Sequence, residues 1–445
     1  MAPTPTGSSA LRTDRYELTM LAASLKDGTA HRRCVFELFA RRLSGGRRFG
    51  VVAGTGRVLE QLRAFRFGDE ELAWLDANRV VDAATLAWLA DYRFSGTIHG
   101  YREGELYFPG SPTLSVEASF AEGVVLETLA LSIFNHDSAV ATAAARMSVA
   151  AGTRPLAEMG SRRAGEHSAV AAARAAFIAG FDATSNLEAG RSWGIPTMGT
   201  AAHAYTLLHD SEEQAFRSQV EAQGIGTTLL VDTYDIERGV ETAIRVAGTG
   251  LGGVRIDSGD LPVVAARVRA QLDSLGATNT RITVTSDLDE HAIAALAASP
   301  VDAYGVGTSV VTGSGTPTAG MVYKLVARQG DDGAWVSVAK ASADKASKGG
   351  RKAAFRRLRH GVASAEVVAV SDGFEALAHS GGEHGDRPLQ IPLVVDGGID
   401  ERFEGAAGVR AAREHHRAVR AELPARAFGL SRSDPALPTV YLDVE

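Results

Sequence analysis

"GGVRIDSGDLPVVAARVRAQLDSLG", from Gly252 to Gly276, joins a short apolar run to a longer run with the spacing of an amphipathic helix. The first run predicts a buried strand because it is short, apolar and bounded by glycines, and the second predicts a helix. Arg255, Asp257 and Asp260 fall at or just after the carboxyl end of this strand. We therefore interpret the segment as one βα unit.

The same alternation recurs from about residue 155 to about residue 310, where roughly seven apolar stretches occur and all but the last precede a helix-like stretch. These stretches are "PLAEMG", "FDATSN", "IPTMG", "TTLLVD", "GGVRID", "RITVTSD" and "DAYGVG". Alternating strands and helices predict a parallel sheet, and this many consecutive units favour closure into a (β/α) barrel over an open sheet. We predict an α/β fold whose catalytic domain is an irregular (β/α) barrel at residues 136–324.

The two ends of the chain have a different pattern. Strand-like "RCVFELFARRL" and "GMVYKLVARQ" occur there with helix-like "GTGRVLEQLRAF". A chain of 445 residues is too long for one ordinary core. We predict a second domain, an α+β sandwich built from residues 1–135 and 325–445.

Composition excludes several classes of protein. The net charge of -7 and the pI near 6.0 argue against a nucleic-acid surface, which needs clustered basic charge. No stretch approaches the roughly 20 apolar residues that cross a membrane. The single cysteine, Cys34, excludes an internal disulfide, and the first residues lack the apolar core of a signal peptide. We expect a cytoplasmic protein that binds neither nucleic acid nor membrane.

Polar residues follow every strand of the predicted barrel. Because the carboxyl ends of parallel strands share one rim, where barrel enzymes place their active sites, these side chains are candidate site residues. Ser, Thr and Asp are also preferred helix N-caps, so capping explains some of them equally well. In "RIDSGDL", Asp257 and Asp260 suit ribose hydroxyls or a hydrated Mg²⁺, and Arg255 suits a carboxylate or phosphate. A salt bridge between Arg255 and an aspartate is the plainer alternative.

His203 in "GTAAH" has three open interpretations. It is a packing or capping residue, a catalytic nitrogen, or a metal ligand. "DTYD" supplies Asp232 and Asp235 one strand away, and a carboxylate bound to one imidazole nitrogen leaves the other nitrogen nucleophilic. Zinc is disfavoured because no nearby cysteine or compact ligand set accompanies the histidine.

Three further motifs suit phosphates or planar ligands. "GVGTS" presents small residues and backbone N–H groups at the last strand, where such barrels bind phosphate. "GSRRA" adds two arginines, which are costly to bury without an anion. In "TDRYELTM", Tyr16 is either a surface aromatic residue or a ring that stacks on a ligand.

Taken in order, these motifs resemble nicotinate phosphoribosyltransferase, a type II phosphoribosyltransferase family. The resemblance covers nearly the whole chain through "TDRYELTM", "GSRR", "GTAAH", "DTYD", "RIDSGDL", "SDLDE", "GVGT" and the basic "KASADKAS". It implies that nicotinate, phosphoribosyl pyrophosphate (PRPP), ATP and water give nicotinate mononucleotide, pyrophosphate, ADP and phosphate, the entry step of NAD salvage from nicotinic acid. It also implies a phosphohistidine, Mg²⁺ bound with PRPP and ATP, and a homodimer with a shared active site.

The resemblance also assigns roles to individual residues. His203 would carry the phosphate, Asp232 would be its relay partner and Asp257 would act on the ribose side. Nicotinate and other charged substrate groups would meet Tyr16 (from the partner subunit), Arg162, Thr200 and Arg255. PRPP phosphates would meet Asp260, Ser286, Gly307 and Thr308.

Two other activities deserve comparison. Nicotinamide phosphoribosyltransferase carries an acidic residue where Ser185 stands here, and a neutral serine suits a carboxylate ligand better. A metal-dependent barrel lyase would use a strand-end lysine or three carboxylates on successive strands. No lysine occurs between Lys26 and Lys324, which excludes a Schiff base inside the barrel.

Overall fold

The fold is described from a computed structural model that covers residues 8–340, 348–371 and 386–443. Most of the "KASADKAS" motif, residues 341–347, lies outside this part of the chain. Two compact units are present: Met1–Thr142 with Thr316–Glu445, and Ala143–Gly315. The chain passes from the first unit to the second within one long helix, Glu127–Ala151.

The helices and strands have the following bounds. The helices are α1 (Arg15–Asp27), α2 (Thr55–Ala64), α3 (Asp69–Ala77), α4 (Ala83–Ala90), α5 (Phe120–Val124), α6 (Glu127–Ala151), α7 (Glu166–Ile178), α8 (Leu187–Trp193), α9 (His203–Leu208), α10 (Glu212–Gln223), α11 (Ile236–Ala247), α12 (Leu261–Ser274), α13 (Glu290–Ala295), α14 (Thr308–Val311) and α15 (Gly405–Arg420). The strands are β1 (Arg33–Ala40), β2 (Gly50–Val51), β3 (Thr97–Tyr101), β4 (Leu106–Tyr107), β5 (Leu114–Ser119), β6 (Leu156–Glu158), β7 (Ala183–Thr184), β8 (Thr228–Leu230), β9 (Gly253–Ile256), β10 (Arg281–Val284), β11 (Ala303–Val306), β12 (Met321–Gln329), β13 (Trp335–Ser337), β14 (Arg351–Arg359), β15 (Val362–Ser371), β16 (Arg387–Pro388), β17 (Gln390–Val395), β18 (Gly398–Ile399) and β19 (Thr439–Asp443).

The first unit is built on an antiparallel sheet in the order β13-β12-β1-β5-β3-β17-β18. Strand β1 is buried on both faces from Cys34 to Ala40, and Phe36 stacks on Tyr323 of β12 at 5.1 Å. A strand that is buried on both faces lies at the centre of its sheet and needs apolar residues in succession, as in "CVF" and "LFA". A second sheet has the order β16-β14-β15-β19.

The second unit contains the parallel sheet that the repeated βα pattern predicts. Among the described residues its strand order is β7-β6-β11-β10-β9-β8. All of these strands pair in parallel, and the sheet curls into a half-barrel. The α/β class with an irregular barrel is therefore confirmed. The carboxyl ends of the strands meet at one edge, which brings their loops together.

One predicted strand, in "IPTMG", is reduced to a single bridge between Thr184 and Thr197. Pro196 has no N–H to donate, and only its carbonyl and the N–H of Met198 bond to Thr184, at 3.0 Å each. This proline explains why the stretch pairs with β7 over so short a length. Across the described ranges, none of the helices combines the length and the apolar composition needed to cross a membrane.

Candidate active site

His203 is the first residue of α9, which follows the Thr197 bridge by a short loop. Its Nε2 lies 3.0 Å from Oδ1 of Asp232. The imidazole is 40% exposed whereas the Asp232 side chain is 1% exposed. A ring so exposed is not a packing residue, and its contact with a buried carboxylate fixes which nitrogen faces the protein.

Asp232 follows β8 and accepts hydrogen bonds with both carboxylate oxygens. Besides the His203 contact, its Oδ2 accepts from the backbone N–H of Asp257 at 2.8 Å and from the hydroxyl of Ser258 at 2.7 Å. A buried carboxylate that accepts from several donors is held in one orientation. Asp232 thus joins the loop after β9 to the imidazole.

Arg255 lies in β9 and reaches the segment before α9. Its Nη1 donates to the hydroxyl of Thr200 at 2.6 Å and to the carbonyl of Ala201 at 3.1 Å, and its Nη2 is 3.9 Å from Oδ2 of Asp257. Burial lowers the pKa of the Arg255 guanidinium. The carboxylates of Asp257 and Asp232 oppose this shift, and the like charge of Arg162 adds a smaller lowering. Its buried Nε has no hydrogen-bond partner within the described part of the chain.

Asp257 is held by a neighbour that the motif analysis missed. The hydroxyl of Thr285, at the end of β10, donates to its Oδ1. The Asp257 side chain is 32% exposed, so part of its carboxylate faces solvent. The salt bridge with Arg255 that the sequence left open is present only as the long 3.9 Å contact. The sequence signal for both residues was a hydroxyl close to the end of a strand: Thr285 directly follows β10, and Ser258 is the second residue after β9.

Glu158, at the end of β6, is a second group that the sequence analysis missed. It is fully buried and accepts from the N–H of Gly160 and the hydroxyl of Thr184. Burial raises the pKa of Glu158, and these two hydrogen bonds oppose that rise. Gly160 is required by space, because a Cβ there would lie 2.2 Å from Cγ1 of Val311. This anchoring sets the start of the turn Ser161–Arg163 that carries Arg162.

The predicted phosphate residues lie at other strand ends of the same sheet. Asp260 is the N-cap residue of α12 but makes no side-chain cap bond. Gly307 follows β11 as the N-cap residue of α14, and Thr308 is the first residue of that helix. Ser286, after β10, has a φ of +100°, which is strained for a residue with a Cβ. In the described ranges, no hydrogen bond joins the side chains of these residues to His203 or Asp232.

Capping accounts for other acidic residues of this edge. The side chain of Asp235 accepts from the N–H of Arg238 at 2.9 Å, and Asp289 caps α13 in the same way. The second carboxylate of "DTYD" is therefore a helix cap, while Asp232 contacts the histidine.

Tyr16 belongs to the first unit and lies in α1. It is 46% exposed and borders a cavity of about 340 Å³, which Asp14, Ser132 and His136 also line. Burial raises the pKa of Tyr16, and the nearby Glu127 carboxylate adds to that rise. The hydroxyl of Tyr16 also hydrogen-bonds Glu127, so the exposed part of the ring is what can contact a ligand.

Similarity to known proteins covers nearly the whole chain. The family model described as the nicotinate phosphoribosyltransferase (NAPRTase) N-terminal domain matches residues 11–135. A nicotinate phosphoribosyltransferase of Mycobacterium tuberculosis (strain CDC 1551 / Oshkosh), pncB1, is 55% identical over 442 residues, which cover 96% of this chain and 94% of the relative. This chain belongs to the nicotinate phosphoribosyltransferase family.

Further relatives and solved structures are similar to this chain over most of its length. The Bacillus subtilis (strain 168) protein is 39% identical over 360 residues, 78% of this chain and 73% of that protein. The crystal structure of human nicotinic acid phosphoribosyltransferase matches with a TM-score of 0.79 at 26% identity, over 96% of this chain and 97% of that chain. Nicotinate-nucleotide pyrophosphorylase from Pyrococcus furiosus shares the fold, with a TM-score of 0.75 at 23% identity over 95% of this chain and 96% of that chain.

Proposed function

We propose that this protein is a nicotinate phosphoribosyltransferase that couples the reaction to ATP through phosphorylation of His203. Nicotinate attacks C1 of PRPP, the bond from C1 to the pyrophosphate oxygen breaks, and nicotinate mononucleotide and pyrophosphate leave. The product is the first nucleotide of NAD salvage from nicotinic acid. The observation that supports this best is an exposed imidazole held by buried Asp232 beside Arg255 and Asp257, in a chain of this family.

The orientation of the imidazole selects the nitrogen that takes the phosphate. Nε2 of His203 faces Oδ1 of Asp232, so Nδ1 is the nitrogen left for attack. Nδ1 attacks the γ-phosphorus of ATP, the bond to the β-phosphate oxygen breaks, and ADP leaves. Water later cleaves the phosphorus–nitrogen bond and releases phosphate. Asp232 keeps the proton on Nε2 throughout and offsets the charge of the ring.

The charges beside His203 suit the transfer of the ribosyl group. The reaction develops positive charge on the sugar and negative charge on pyrophosphate, so it needs a carboxylate near the first and cations near the second. Asp257 is partly exposed for the sugar, and Arg255 with Arg162 supplies cations for nicotinate or pyrophosphate. The orphaned Nε of Arg255, within the described residues, supports an anionic ligand at this guanidinium.

Thr200 positions the Arg255 fork through its 2.6 Å hydrogen bond, which supports its predicted place at the nicotinate ring. Gly307 and Thr308 would receive the 5′-phosphate with backbone N–H groups, because glycine lets a phosphate approach the backbone closely. Ser286 and Asp260 complete the predicted PRPP contacts at neighbouring strand ends.

Mg²⁺ suits this site as an ion carried by the substrate. The described residues contain no cluster of three His, Cys, Asp or Glu side chains that could hold a metal. Mg²⁺ commonly binds through one or two carboxylates together with substrate phosphates, and Asp257 or Asp260 would supply the carboxylate. When bound with PRPP it would neutralise the charge of the pyrophosphate.

A homodimer with a shared site completes the proposal. Tyr16, exposed beside its cavity, would stack on the pyridine ring bound by the partner subunit. We further propose nicotinate rather than nicotinamide as the substrate, because Ser185 is exposed and neutral where the nicotinamide enzymes carry an acid.

One assay tests these proposals together. The protein is incubated with γ-labelled ATP, and acid-labile phosphate on His203 is located by mass spectrometry. Nicotinate and nicotinamide are then compared by kcat/KM with PRPP and ATP. His203→Ala should abolish labelling and ATP stimulation, whereas the matched variant His209→Ala should not, because Nδ1 of His209 bonds the Tyr205 carbonyl at 2.9 Å. Full ATP stimulation in His203→Ala, or a preference for nicotinamide, would contradict the proposal.

A further inference from the structure

Asp232 connects two parts of the site with a single carboxylate. Its Oδ1 faces Nε2 of His203 at 3.0 Å, and its Oδ2 accepts from the N–H of Asp257 at 2.8 Å and the hydroxyl of Ser258 at 2.7 Å. The side chain is 1% exposed, so water does not replace a lost donor readily. The position of the ring and the position of the loop after β9 are therefore linked.

The Ser258 hydroxyl has no role in capping the next helix. Asp260 is the N-cap of α12, and no side chain makes a cap bond there. Ser258 is an exposed loop residue whose hydroxyl nevertheless points to a buried carboxylate. Its hydrogen bond therefore acts on Asp232 and not on the stability of α12.

We propose that Ser258 is a positioning residue that couples phosphorylation of His203, through Asp232, to the ribose-binding loop Asp257–Asp260. This inference rests on the proposed ATP-coupled function. Of the two donors to Oδ2, the Asp257 N–H belongs to the backbone, and proline, the substitution that removes it, would also remove the Asp257 carboxylate. The Ser258 hydroxyl can be removed by itself.

The chemistry of the ring explains the direction of the coupling. Before phosphorylation, the hydrogen bond from Nε2 to Asp232 joins an unmodified ring to the carboxylate. When Nδ1 uses its lone pair to bond phosphorus and Nε2 keeps its proton, the ring becomes positively charged, and its hydrogen bond to Oδ1 becomes a stronger, charge-assisted one. Phosphorylation thereby holds the Asp232 carboxylate in the orientation that Asp257 and Ser258 need. The loop that carries Asp257 becomes ordered for PRPP when His203 is phosphorylated.

The contact between Thr285 and Asp257 extends this link to the reacting sugar. Asp257 is held at its backbone by Asp232 and at its Oδ1 by the Thr285 hydroxyl. A displacement of the loop would therefore turn the Asp257 carboxylate relative to the ribose. Removal of the Ser258 hydroxyl weakens the hydrogen bonds at Asp232 and leaves the contact between Thr285 and Asp257 in place. It therefore isolates the effect that reaches the loop from the histidine.

The test compares Ser258→Ala, Ser258→Thr and the matched control Ser274→Ala, whose lost hydroxyl donates to the Gln271 carbonyl at the end of α12. For each protein the KM for PRPP is measured with and without ATP, together with ATP hydrolysed per nicotinate mononucleotide formed. In Ser258→Ala the ATP-dependent change in KM should shrink on the order of 10-fold, and more ATP should be hydrolysed per product. Ser258→Thr, which keeps the hydroxyl, should restore most of the coupling, and Ser274→Ala should match the wild type.

The outcomes distinguish a failure of the role proposed for Ser258 from a failure of the proposed ATP-coupled function. Labelling of His203 by ATP should persist in Ser258→Ala, because the nucleophile is untouched. An unchanged ATP effect on KM in Ser258→Ala, or an equal loss of activity with and without ATP, overturns the role of Ser258 alone. A wild-type protein that acquires no phosphate on His203 overturns the ATP-coupled function, and the inference with it.

Discussion

Two groups of charged residues, one in each unit, differ in how far water reaches them. In the first unit Nη2 of Arg356 lies 2.7 Å from Oε2 of Glu366, and both side chains are 0% exposed. Tyr101 and Ser111 donate to the other oxygen of Glu366. In the second unit the side chains at the strand ends differ in solvent exposure, from buried Asp232 to half-exposed His203. The fully buried pair of the first unit stabilises the fold. The partly exposed side chains of the second unit remain accessible to a substrate.

An orphaned donor does not by itself distinguish the two groups. Nε of Arg255 lacks a hydrogen-bond partner among the described residues, and so do Nε and Nη1 of Arg356. Arg356 is sealed from solvent, whereas Arg255 lies beside Asp257, which is 32% exposed. A group that can bind a ligand is therefore identified by solvent access together with an unpaired hydrogen-bond donor.

The largest expected effect is a loss of stability in the first unit. Glu366→Gln removes the 2.7 Å partner of the buried Arg356 charge and leaves it with the longer 3.9 Å contact to Glu105. This change should lower the free energy of unfolding by about 3–5 kcal/mol. Chemical denaturation followed by circular dichroism measures it. Glu213→Gln, which breaks exposed pairs with Arg217 and Arg245, should leave the denaturation midpoint unchanged. Equal denaturation midpoints for the two variants would contradict the proposal that the buried pair stabilises the fold more than the exposed pairs do.

A change at the second group should affect activity and not stability. Arg255→Lys replaces the planar fork that contacts Thr200 and faces Asp257, so kcat/KM for nicotinate should fall roughly 100-fold. The melting temperature should stay close to that of the wild type. Arg217→Lys, an exposed substitution, serves as the control. A variant that loses stability in proportion to activity would show that Arg255 serves the fold.

Acid should weaken the first unit through His416. Burial lowers the pKa of His416 from 6.5 to about 4, and its Nδ1 donates to the carbonyl of Gly104 at 2.9 Å. Between these two pH values the unfolded chain binds the extra proton, so the free energy of unfolding decreases as pH falls. His416→Gln does not titrate and should lose less stability from pH 6.5 to pH 4 in thermal melts. Exposed His167→Gln should keep the wild-type slope, and identical slopes for all three proteins would refute this origin.

The smallest effect concerns strain at the strand ends. Ser286→Gly relieves a φ of +100° and should raise the free energy of unfolding by less than about 1 kcal/mol, while the KM for PRPP rises a few-fold. Arg79→Gly, at φ +49° in the first unit, should change stability alone. Matched thermal melts and PRPP titrations distinguish them. If Ser286→Gly binds PRPP as tightly as the wild type, the strain has no part in substrate binding.

Much of the fold and the family could be predicted from local sequence. Alternating apolar and amphipathic stretches predicted the parallel sheet, and the eight motifs predicted the family; both predictions are confirmed. The length of the predicted strand around Thr197 was overestimated, because Pro196 interrupts its pairing. The roles of the individual site residues stay predictions, although His203 and Asp232 lie in contact.

The positions of candidate residues at strand ends follow from sequence alone, because the period of apolar residues sets where each strand stops. The partners of those residues do not, because a hydroxyl such as that of Ser258 or Thr285 can bond its own helix, solvent or a distant carboxylate at similar energy. Only tertiary packing selects among these, by burying Asp232 and bringing the loop after β9 against it. The sequence by itself determined the sheet and its polar edge, and the tertiary structure decided which hydrogen bonds make that edge a site.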